Sequence, residues 1–364
     1  MSLNHQPLGI LVVGAGFLGS HRAAAASSAR GTRLVAVCDR DPAAAQTVGR
    51  RFGVVTETSF ERALNLPGIE AVIVATPHAD HAEQVRLALE AGKHVLCEKP
   101  LTVTTAKARS ICHLARECGQ RLATGFNHRF YAPVQDALWL VAQGRIGRVE
   151  SVRAQIGHRA SETFLKSWHA DPDRSGGGTL LDNGPHACDL ARRLVGEVVA
   201  VQGYVRHNER GSRNVELEAF ALFRNRDCAI VELRSSWALE RGYLTLEVRG
   251  ATGHLHVETA PWRLSGTLAD GHRVDRHYTV ERLKERLFRR RFGCERSLLL
   301  ELESFASAAE AFPLLHATGW DGCRATEMVQ GVYESARSGR EVVLEPLPVK
   351  TPSGRRKDFA KDRS

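Results

Sequence analysis

Leu8-Gly-Ile-Leu-Val-Val13, followed at once by Gly14-Ala-Gly16-Phe-Leu-Gly19 and an alanine-rich segment to about Ala29, decides the fold. The first run is typical of a buried strand and the last of a helix. Glycines placed between a strand and a helix indicate dinucleotide binding. Gly14 permits a tight turn, Gly16 lets the backbone approach a pyrophosphate, and Gly19 lets the helix pack closely on the sheet. The N–H groups at the start of that helix then face the phosphates.

The next strand, Arg33 to Cys38, ends in Asp39, which lies 20 residues after Gly19. This is the interval expected for a carboxylate that binds the adenosine ribose hydroxyls. The alternative is that Asp39 only caps a helix or a turn. Asp39 would repel a 2′-phosphate, so NAD is the predicted cofactor. NADP is not excluded, because Arg40 could accommodate that phosphate.

Strands and helices continue to alternate as far as Phe126, which predicts a parallel, doubly wound sheet with right-handed crossovers. The predicted helices are Pro42–Phe52, Phe60–Leu64, Asp80–Ala91 and Thr104–Cys118. The predicted strands are 54–55, Glu70–Ala75, His94–Cys97 and Arg121–Phe126.

The pattern changes after Asn127, where a helix near Val134–Gln143 is followed by longer strands with hairpin turns between them. These strands are Arg148–Ile156, Val198–Arg206, Val215–Phe223, Cys228–Ala238 and Tyr243–Arg249. Helical spacing returns from Leu298 to Ser338. The predicted fold class is α/β, with an N-terminal Rossmann doubly wound parallel sheet and a C-terminal α+β domain containing a mostly antiparallel open sheet. We place the domains at 1–125 and 126–346, followed by a basic, disordered tail at 347–364.

Composition predicts a soluble, cytoplasmic protein. Hydrophobic residues make up 43% of the 364 residues, and no apolar run approaches the ~18 residues of a membrane span. Met1–Pro7 lacks the features of a secretory signal. The eight cysteines are scattered, so we expect reduced thiols and neither a disulfide framework nor a structural zinc.

The formal charge of +9 is concentrated in two segments. Arg282–Arg291 carries a net charge of +5 and Lys350–Ser364 a net charge of +4. Leu283 and Leu287 are four residues apart, which predicts a surface helix with a basic face for the first segment. Neither segment is interleaved with the aromatic residues that stack on bases, so no nucleic-acid partner is expected.

Two stretches carry groups that could do chemistry. His94-Val-Leu-Cys-Glu-Lys-Pro100 delivers Lys99 at the carboxyl end of a buried strand, where open α/β sheets keep their ligands. Further on, Asp182, His186 and Asp189 have the spacing of one helical face, although Pro185 would interrupt a regular helix. A carboxylate near an imidazole favours proton exchange near neutral pH. The alternatives are a surface salt bridge of Lys99 with its neighbour Glu98, and a capping Asp182 beside a satisfied, half-buried His186.

Two pairs of histidines lie close together in the sequence. His78 with His81 and His254 with His256 have residue types suitable as metal ligands, but no third ligand accompanies either pair. We therefore expect no metal site.

Taken together, these motifs resemble the glucose-fructose oxidoreductase, inositol dehydrogenase and MocA (Gfo/Idh/MocA) family over nearly the whole chain. The resemblance rests on 14–19, Ala75-Thr-Pro-His-Ala-Asp-His81, Gly92 to Pro100, Gly125-Phe-Asn-His-Arg-Phe130 and Gly176 to Asp189. The Glu-Lys-Pro element, combined with three downstream glycines and an Asp/His pair, is the selective part. Many relatives have Asn where this chain has His78.

The resemblance implies that Lys99, Asp182 and His186 converge beside the nicotinamide. His186 would exchange a proton, Lys99 would polarise the reacting oxygen, and Asp182 would orient His186 or a substrate hydroxyl. It also implies a cis Lys99–Pro100 bond, and a homodimer or homotetramer formed through the C-terminal sheet. The predicted cofactor-binding residues are Gly14, Gly16, Phe17, Leu18, Gly19, Asp39, Arg40, Ala75, Thr76, Pro77, His81, Glu98, Lys99 and Asn127. The predicted substrate-binding residues are Lys99, Trp168, Asp182 and His186.

The predicted function is an NAD(P)-dependent oxidoreductase that moves a hydride between nicotinamide and a secondary alcohol or ketone carbon of a sugar, cyclitol or related polyol. Two alternatives stay open. One is a hydrolase of the same family that uses bound NAD for a transient oxidation while it cleaves a glycosidic bond. The other is a non-catalytic, cofactor-sensing protein.

Overall fold

The N-terminal part of the chain forms a six-stranded parallel sheet. The computed structural model describes residues 6–207, 215–240, 243–307 and 315–345. The strands of this sheet are β1 (Leu8–Val13), β2 (Thr32–Cys38), β3 (Val55–Glu57), β4 (Ala71–Val74), β5 (His94–Glu98) and β6 (Leu122–Gly125). They lie in the order β3-β2-β1-β4-β5-β6, and every pair is parallel. The order reverses between β1 and β4, and ligands bind at such switch points.

Helices cover both faces of this sheet. They are α1 (Phe17–Ser28), α2 (Pro42–Phe52), α3 (Phe60–Leu64), α4 (His78–Glu90) and α5 (Thr105–Glu117). Alternate residues of β1 enter two separate cores: Leu11 and Val13 pack on one face, and Ile10 and Val12 on the other. Burial on both faces explains the unbroken apolar runs. The predicted Rossmann architecture is confirmed.

The second sheet has nine strands in the order β14-β13-β12-β11-β7-β10-β9-β8-β15. They are β7 (Val149–Gly157), β8 (Val198–His207), β9 (Glu216–Asn225), β10 (Ile230–Ser236), β11 (Leu244–Gly250), β12 (His254–Thr259), β13 (Trp262–Thr267), β14 (Arg273–His277) and β15 (Val342–Val343). Only the β7–β10 pair is parallel among these described strands. The mostly antiparallel sheet is confirmed, but β12, β13, β14 and the two-residue β15 were not predicted. The sequence signal for β12 was the alternation of apolar Leu255 and Val257 with polar neighbours, and these two side chains are the buried ones.

Eight further helices follow β6 in the described chain, together with 3-10 turns at Asn127–Phe130 and Trp168–Ala170. They are α6 (Ala132–Ala142), α7 (Glu162–Leu165), α8 (Pro172–Ser175), α9 (Thr179–Asp182), α10 (Gly184–Val195), α11 (Thr279–Phe292), α12 (Arg296–Ala306) and α13 (Gly319–Ser338). Helix α13 packs on both α5 and β8, and so connects the two halves. The expected break at Pro185 is present, because α9 and α10 are separate helices.

The basic segment 282–291 lies within α11, and no side chain of this helix is fully buried. The predicted surface helix is therefore confirmed. The predicted tail, 347–364, lies outside the described residues. Within the described chain, the helices are too short or too polar for any of them to cross a membrane.

Candidate active site at the junction of the two sheets

A cavity of about 480 Å³ runs along the carboxyl edge of the parallel sheet and is closed on one side by the segment around α8. Its size is in the usual range for a ligand site. Eleven predicted cofactor-binding residues border it: Gly14, Gly16, Phe17, Leu18, Asp39, Arg40, Ala75, Thr76, Pro77, Glu98 and Lys99. Trp168 and Asp182, from the predicted substrate set, also border it. Nine further residues that were not among the predicted site residues also border the cavity: Val13, Cys38, Thr58, Phe60, His78, Asp80, Gln84, His169 and Arg174.

The three glycines of the turn after β1 differ in what surrounds them. Gly14 has a φ of +92°, a conformation that favours glycine. A Cβ on Gly19 would lie 1.7 Å from the carbonyl oxygen of Gly14, so α1 packs against the turn only because Gly19 has no side chain. A Cβ on Gly16 would meet no atom within 4 Å. The space beside Gly16, at the start of α1, is where a pyrophosphate fits.

Asp39 helps to shape this turn. Its Oδ2 accepts a hydrogen bond from the Ala15 backbone N–H at 2.6 Å, and its Oδ1 accepts one from Asp41 N–H at 2.9 Å. The carboxylate still borders the cavity and keeps acceptor capacity. Asp39 is therefore positioned both to hold the turn and to accept from ribose hydroxyls.

Lys99 and Asp182 meet at the other end of the cavity. Lys99 Nζ donates to the backbone carbonyl of Asp182 at 2.7 Å and to its Oδ1 at 2.8 Å, while Trp237 Nε1 lies 3.4 Å from Oδ2. Burial alone would raise the pKa of Asp182, but the charge of Lys99 holds that pKa well below its usual value. The peptide bond between Lys99 and Pro100 is cis, as the resemblance implied.

His186 is placed differently from the prediction. The Asp182 carboxylate bonds Lys99 and Trp237, whereas His186 stacks on His128 with ring centroids 3.8 Å apart. His186 Nδ1 has no hydrogen-bond partner among the described residues. Burial, the neighbouring His128 and the charge of Lys99 lower the pKa of His186 well below its usual value. The imidazole is therefore neutral at neutral pH. Asp182 does not orient His186 through a hydrogen bond in the described chain.

Asp189, the third residue of the predicted helical face, belongs to the core. Its Oδ2 accepts from Arg129 Nε at 2.7 Å, and both side chains are fully buried. Arg129 also donates to the carbonyl oxygen of His316 at 2.6 Å. This ion pair fixes the 3-10 turn after β6 to α10, behind the cavity.

Glu98 belongs to a buried charged group. Arg22, on α1, lies between Glu98 at 2.5 Å and Glu301 at 2.6 Å. Burial, opposed by the charge of Arg22 and assisted by the nearby charge of Glu98, raises the pKa of Glu301 to about 7. The alternative reading of Lys99, a surface salt bridge with Glu98, does not hold, because Glu98 pairs with Arg22 and Lys99 pairs with Asp182. Glu98 is thus positioned at the cavity by a residue of the glycine-turn helix.

The two histidines of α4 are bonded to backbone carbonyls. His78 Nδ1 donates to Ser175 O at 2.9 Å, which ties the start of α4 to α8. His81 lies behind the cavity wall, with its ring nitrogens 2.9 Å from Thr76 O and 2.8 Å from Pro100 O. His81 therefore supports the two cavity-forming loops and does not face the cofactor space.

Of two further predicted site residues, Asn127 lies away from the cavity and Trp168 borders it. Asn127 Nδ2 donates to Ser297 Oγ at 3.1 Å, which places this amide at the junction with α12 and away from the cavity lining. Trp168 borders the cavity, stacks on His169 at 3.9 Å and meets the edge of His78 at 5.0 Å. Gly19, His81 and Asn127 are thus the three predicted cofactor residues that lie behind the wall.

The glycine stretch before Asp182 is stabilised by hydrogen bonds to Glu216, a residue that no sequence motif indicated. Glu216 accepts hydrogen bonds from Gly178 N at 2.8 Å, Leu180 N at 2.9 Å and Tyr333 Oη at 2.8 Å. A Cβ on Gly178 would lie 2.0 Å from Glu216 O. Nothing local in the sequence signals this contact, because 38 residues separate Gly178 from Glu216. Glu216 and Tyr333 therefore position the backbone that leads to Asp182.

The chemistry available at this site is that of a dinucleotide-dependent enzyme. Among the described residues, no three His, Cys, Asp or Glu side chains are grouped closely enough to hold a metal ion. The glycine turn, Asp39 and the Lys99–Asp182 pair border one cavity. This arrangement defines a two-domain oxidoreductase with a Rossmann cofactor domain.

Comparison with known proteins identifies the family. Residues 8–126 match the Gfo/Idh/MocA model described as "Oxidoreductase family, NAD-binding Rossmann fold", and residues 134–256 match the Gfo/Idh/MocA C-terminal domain. The chain is 30% identical to levoglucosan dehydrogenase of Pseudarthrobacter phenanthrenivorans, over 69% of this chain and 73% of that protein. It is 26% identical to D-glucoside 3-dehydrogenase of Escherichia coli K12, over 94% of this chain and 99% of that protein.

A solved structure of levoglucosan dehydrogenase in complex with NADH has the same fold, with a TM-score of 0.81, 23% identity and coverage of 94% of this chain and 100% of that one. The chain belongs to the Gfo/Idh/MocA family and is an NAD(P)-dependent oxidoreductase.

Proposed function

We propose that the enzyme oxidises a secondary alcohol carbon of a sugar, cyclitol or related polyol, with Lys99, Asp182 and His186 as its catalytic residues. The observation that carries this proposal is the Lys99–Asp182 pair at the wall of the dinucleotide cavity. The named relatives that act on glucosides and levoglucosan support the substrate class. Bound NAD would accept the hydride from the alcohol carbon.

Each catalytic side chain has a distinct part in this proposal. Lys99 Nζ uses two protons on Asp182 and keeps a third for the substrate oxygen, where it stabilises developing negative charge. Asp182 keeps the ammonium aimed, since both of its bonds to Lys99 would have to break for the amine to turn away. His186 accepts the hydroxyl proton at a ring nitrogen, since a neutral imidazole keeps one nitrogen lone pair as an acceptor.

The cofactor-binding residues are proposed from the cavity lining. Gly14, Gly16, Phe17 and Leu18 would hold the pyrophosphate at the start of α1. Asp39 would accept from the adenosine ribose and disfavour a 2′-phosphate. Arg40 borders the same end, so NADP is the competing cofactor to be tested.

The experiment is a spectrophotometric screen of sugars and inositols with NAD and NADP in parallel. We expect NADH to appear with at least one polyol, and to be lost in Lys99→Ala and His186→Ala. Undiminished turnover in both variants would overturn the catalytic assignment. Release of sugar without accumulation of NADH would instead indicate the glycosidic-cleavage alternative, and NAD binding without turnover of any polyol would indicate the sensor alternative.

We also propose a homodimer or homotetramer formed through the C-terminal sheet. Tyr204 on β8 faces Phe220 on β9, and Leu222 lies on the same open surface. Tyr204 is 67% exposed and Leu222 is 51% exposed. A contiguous apolar patch of this kind is typical of a subunit interface. A cytoplasmic location is proposed as well, supported by eight unpaired thiols, and fractionation of cells would test it.

A further inference from the structure

Arg174 is a cation of the second domain that borders the dinucleotide cavity. The neighbouring charges are already engaged: Lys99 is bonded to Asp182, and Glu98 is bonded to Arg22. Arg174, by contrast, has no ion pair or hydrogen bond to its side chain among the residues that the structure describes. A guanidinium without a protein partner at the wall of a ligand cavity is available for an anion on the ligand.

The backbone around Arg174 is fixed in place. The next residue, Ser175, accepts a hydrogen bond from the buried His78 at its carbonyl oxygen, at 2.9 Å. Ser175 Oγ donates to Asp171 O at 2.7 Å, within the same short helix. Helix α8 is thus held against the first turn of α4, so Arg174 is carried by a braced segment.

This bracing sets the position of Arg174 along the cavity. Helix α4 follows β4, and β4 lies beside β1 in the sheet. The two strand ends are so close that a Cβ on Gly14 would lie 2.5 Å from Ala75 O. The start of α4 is therefore beside the glycine turn, between the Asp39 end and the Lys99 end. In a dinucleotide stretched between those ends, the pyrophosphate occupies this middle position.

We propose that Arg174 binds the cofactor pyrophosphate from the second domain, on the side opposite the start of α1. The helix start offers backbone N–H groups and a partial positive charge, whereas Arg174 supplies a full charge and a forked donor pair suited to phosphate oxygens. The proposal rests on the proposed dinucleotide site but not on the identity of the polyol.

One protein group competes for Arg174. Asp80 borders the same cavity from the first turn of α4, and its carboxylate is unpaired within the described chain. If Arg174 served only to hold the two domains together through an ion pair with Asp80, removing either charge would lower the affinity for NAD+ equally. If Arg174 binds phosphate, removing the Asp80 charge leaves binding unchanged or strengthens it, since a nearby carboxylate repels the anion.

The test is isothermal titration of NAD+, ADP-ribose and adenosine into the full chain. We compare the wild type with R174Q, R174K and D80N, and use R226Q as a matched charge control in the exposed turn after β9. We expect R174Q to weaken binding of NAD+ and ADP-ribose by about 10- to 100-fold, as for a lost charge-assisted hydrogen bond. We expect R174K to lose less, and adenosine, which has no phosphate, to bind equally to all variants. R226Q should behave as the wild type.

Two results would overturn the proposal alone: normal NAD+ affinity in R174Q, or an equal loss in D80N and R174Q. If the wild type binds neither NAD+ nor ADP-ribose, the dinucleotide site itself is wrong, and the proposal fails with it. Thermal unfolding of R174Q and R174K shows whether either variant has lost its fold. A loss of affinity with an unchanged Tm, reversed in part by R174K, supports phosphate binding.

Discussion

Lys99 and Asp182 are joined by two hydrogen bonds across the junction of the two sheets, at 2.7 Å to the carbonyl oxygen and 2.8 Å to Oδ1. The lysine follows the fifth strand of the parallel sheet, and the aspartate ends α9, 83 residues later. Neither side chain is more than 14% exposed. The candidate active site is therefore complete only when both domains are folded and docked.

Replacing Lys99 by Met should lower turnover by about 100- to 10,000-fold, the usual contribution of a group that polarises or exchanges protons with substrate. It should also lower the free energy of unfolding by about 3 kcal/mol, because a buried carboxylate loses its partner. Steady-state kinetics and chemical denaturation measure the two effects. The double variant Lys99→Met with Asp182→Asn should recover stability but not activity. Recovery of both would mean that Lys99 serves stability alone.

Alanine at Gly16 and alanine at Gly19 should have opposite consequences. At Gly16 the added Cβ enters open space, so the Tm should stay unchanged while the Kd for NAD+ rises by about tenfold, equivalent to about 1.4 kcal/mol. At Gly19 the Cβ would clash with Gly14 O, so stability should fall by about 1–3 kcal/mol. Calorimetric unfolding and NAD+ titration separate them. An equal loss of stability in both variants would contradict the assigned cofactor space.

Glu216→Ala should impair catalysis from a distance. The substitution leaves the N–H groups of Gly178 and Leu180 without a buried acceptor, at a cost of about 1–3 kcal/mol for each. We expect a lower Tm and a lower kcat, because the segment leading to Asp182 loosens. Tyr333→Phe removes only one donor to Glu216 and should have a smaller effect. A larger effect of the tyrosine variant would show that Glu216 is not the main support.

His128 should make the protein sensitive to acid. Burial, and then the charge of Lys99, lowers the pKa of His128 to about 3. Because the unfolded chain takes up this proton near pH 6.5, the stability contributed by the neutral ring is full above pH 6.5 and is lost as the pH falls toward 3. Between pH 7 and 4.5 the loss should be about 2–3 kcal/mol. His128→Phe, which keeps the stack on His186, should reduce that loss, whereas His272→Asn, which removes an exposed imidazole, should not. Denaturation curves at both pH values provide the measurement.

Leu222→Arg should dissociate the proposed oligomer. Leu222 is 51% exposed on the open face of the second sheet, and a charge buried in an apolar interface without a partner is strongly unfavourable. Light scattering after gel filtration should show a dimer or tetramer for the wild type and a smaller species for the variant. Val280→Arg, at a 58% exposed position on α11, is the control and should leave the mass unchanged. A monomeric wild type would overturn the proposed interface.

Much of the first domain was predictable because its signals are local. The apolar runs of β1 and β5 and the glycine spacing after Val13 lie within a few residues of the feature they indicate, and Asp39 follows Gly19 by a fixed interval of 20 residues within one strand–helix–strand unit. The second domain was harder to predict. Half-exposed antiparallel strands such as His254–Thr259 are short and include polar residues, and four strands of the second sheet were not predicted.

The sequence by itself determined the fold class, the dinucleotide turn and the identities of Lys99, Asp182 and His186 as the groups worth attention. Only the tertiary structure decided that Asp182 bonds Lys99 and not His186. It also decided that His81 and Asn127 lie behind the cavity wall, whereas Arg174 forms part of that wall. The reason is physical. Strand and helix formation follows from the spacing of neighbouring side chains. The partner of a buried charge is set by how elements that are far apart in the sequence pack against each other.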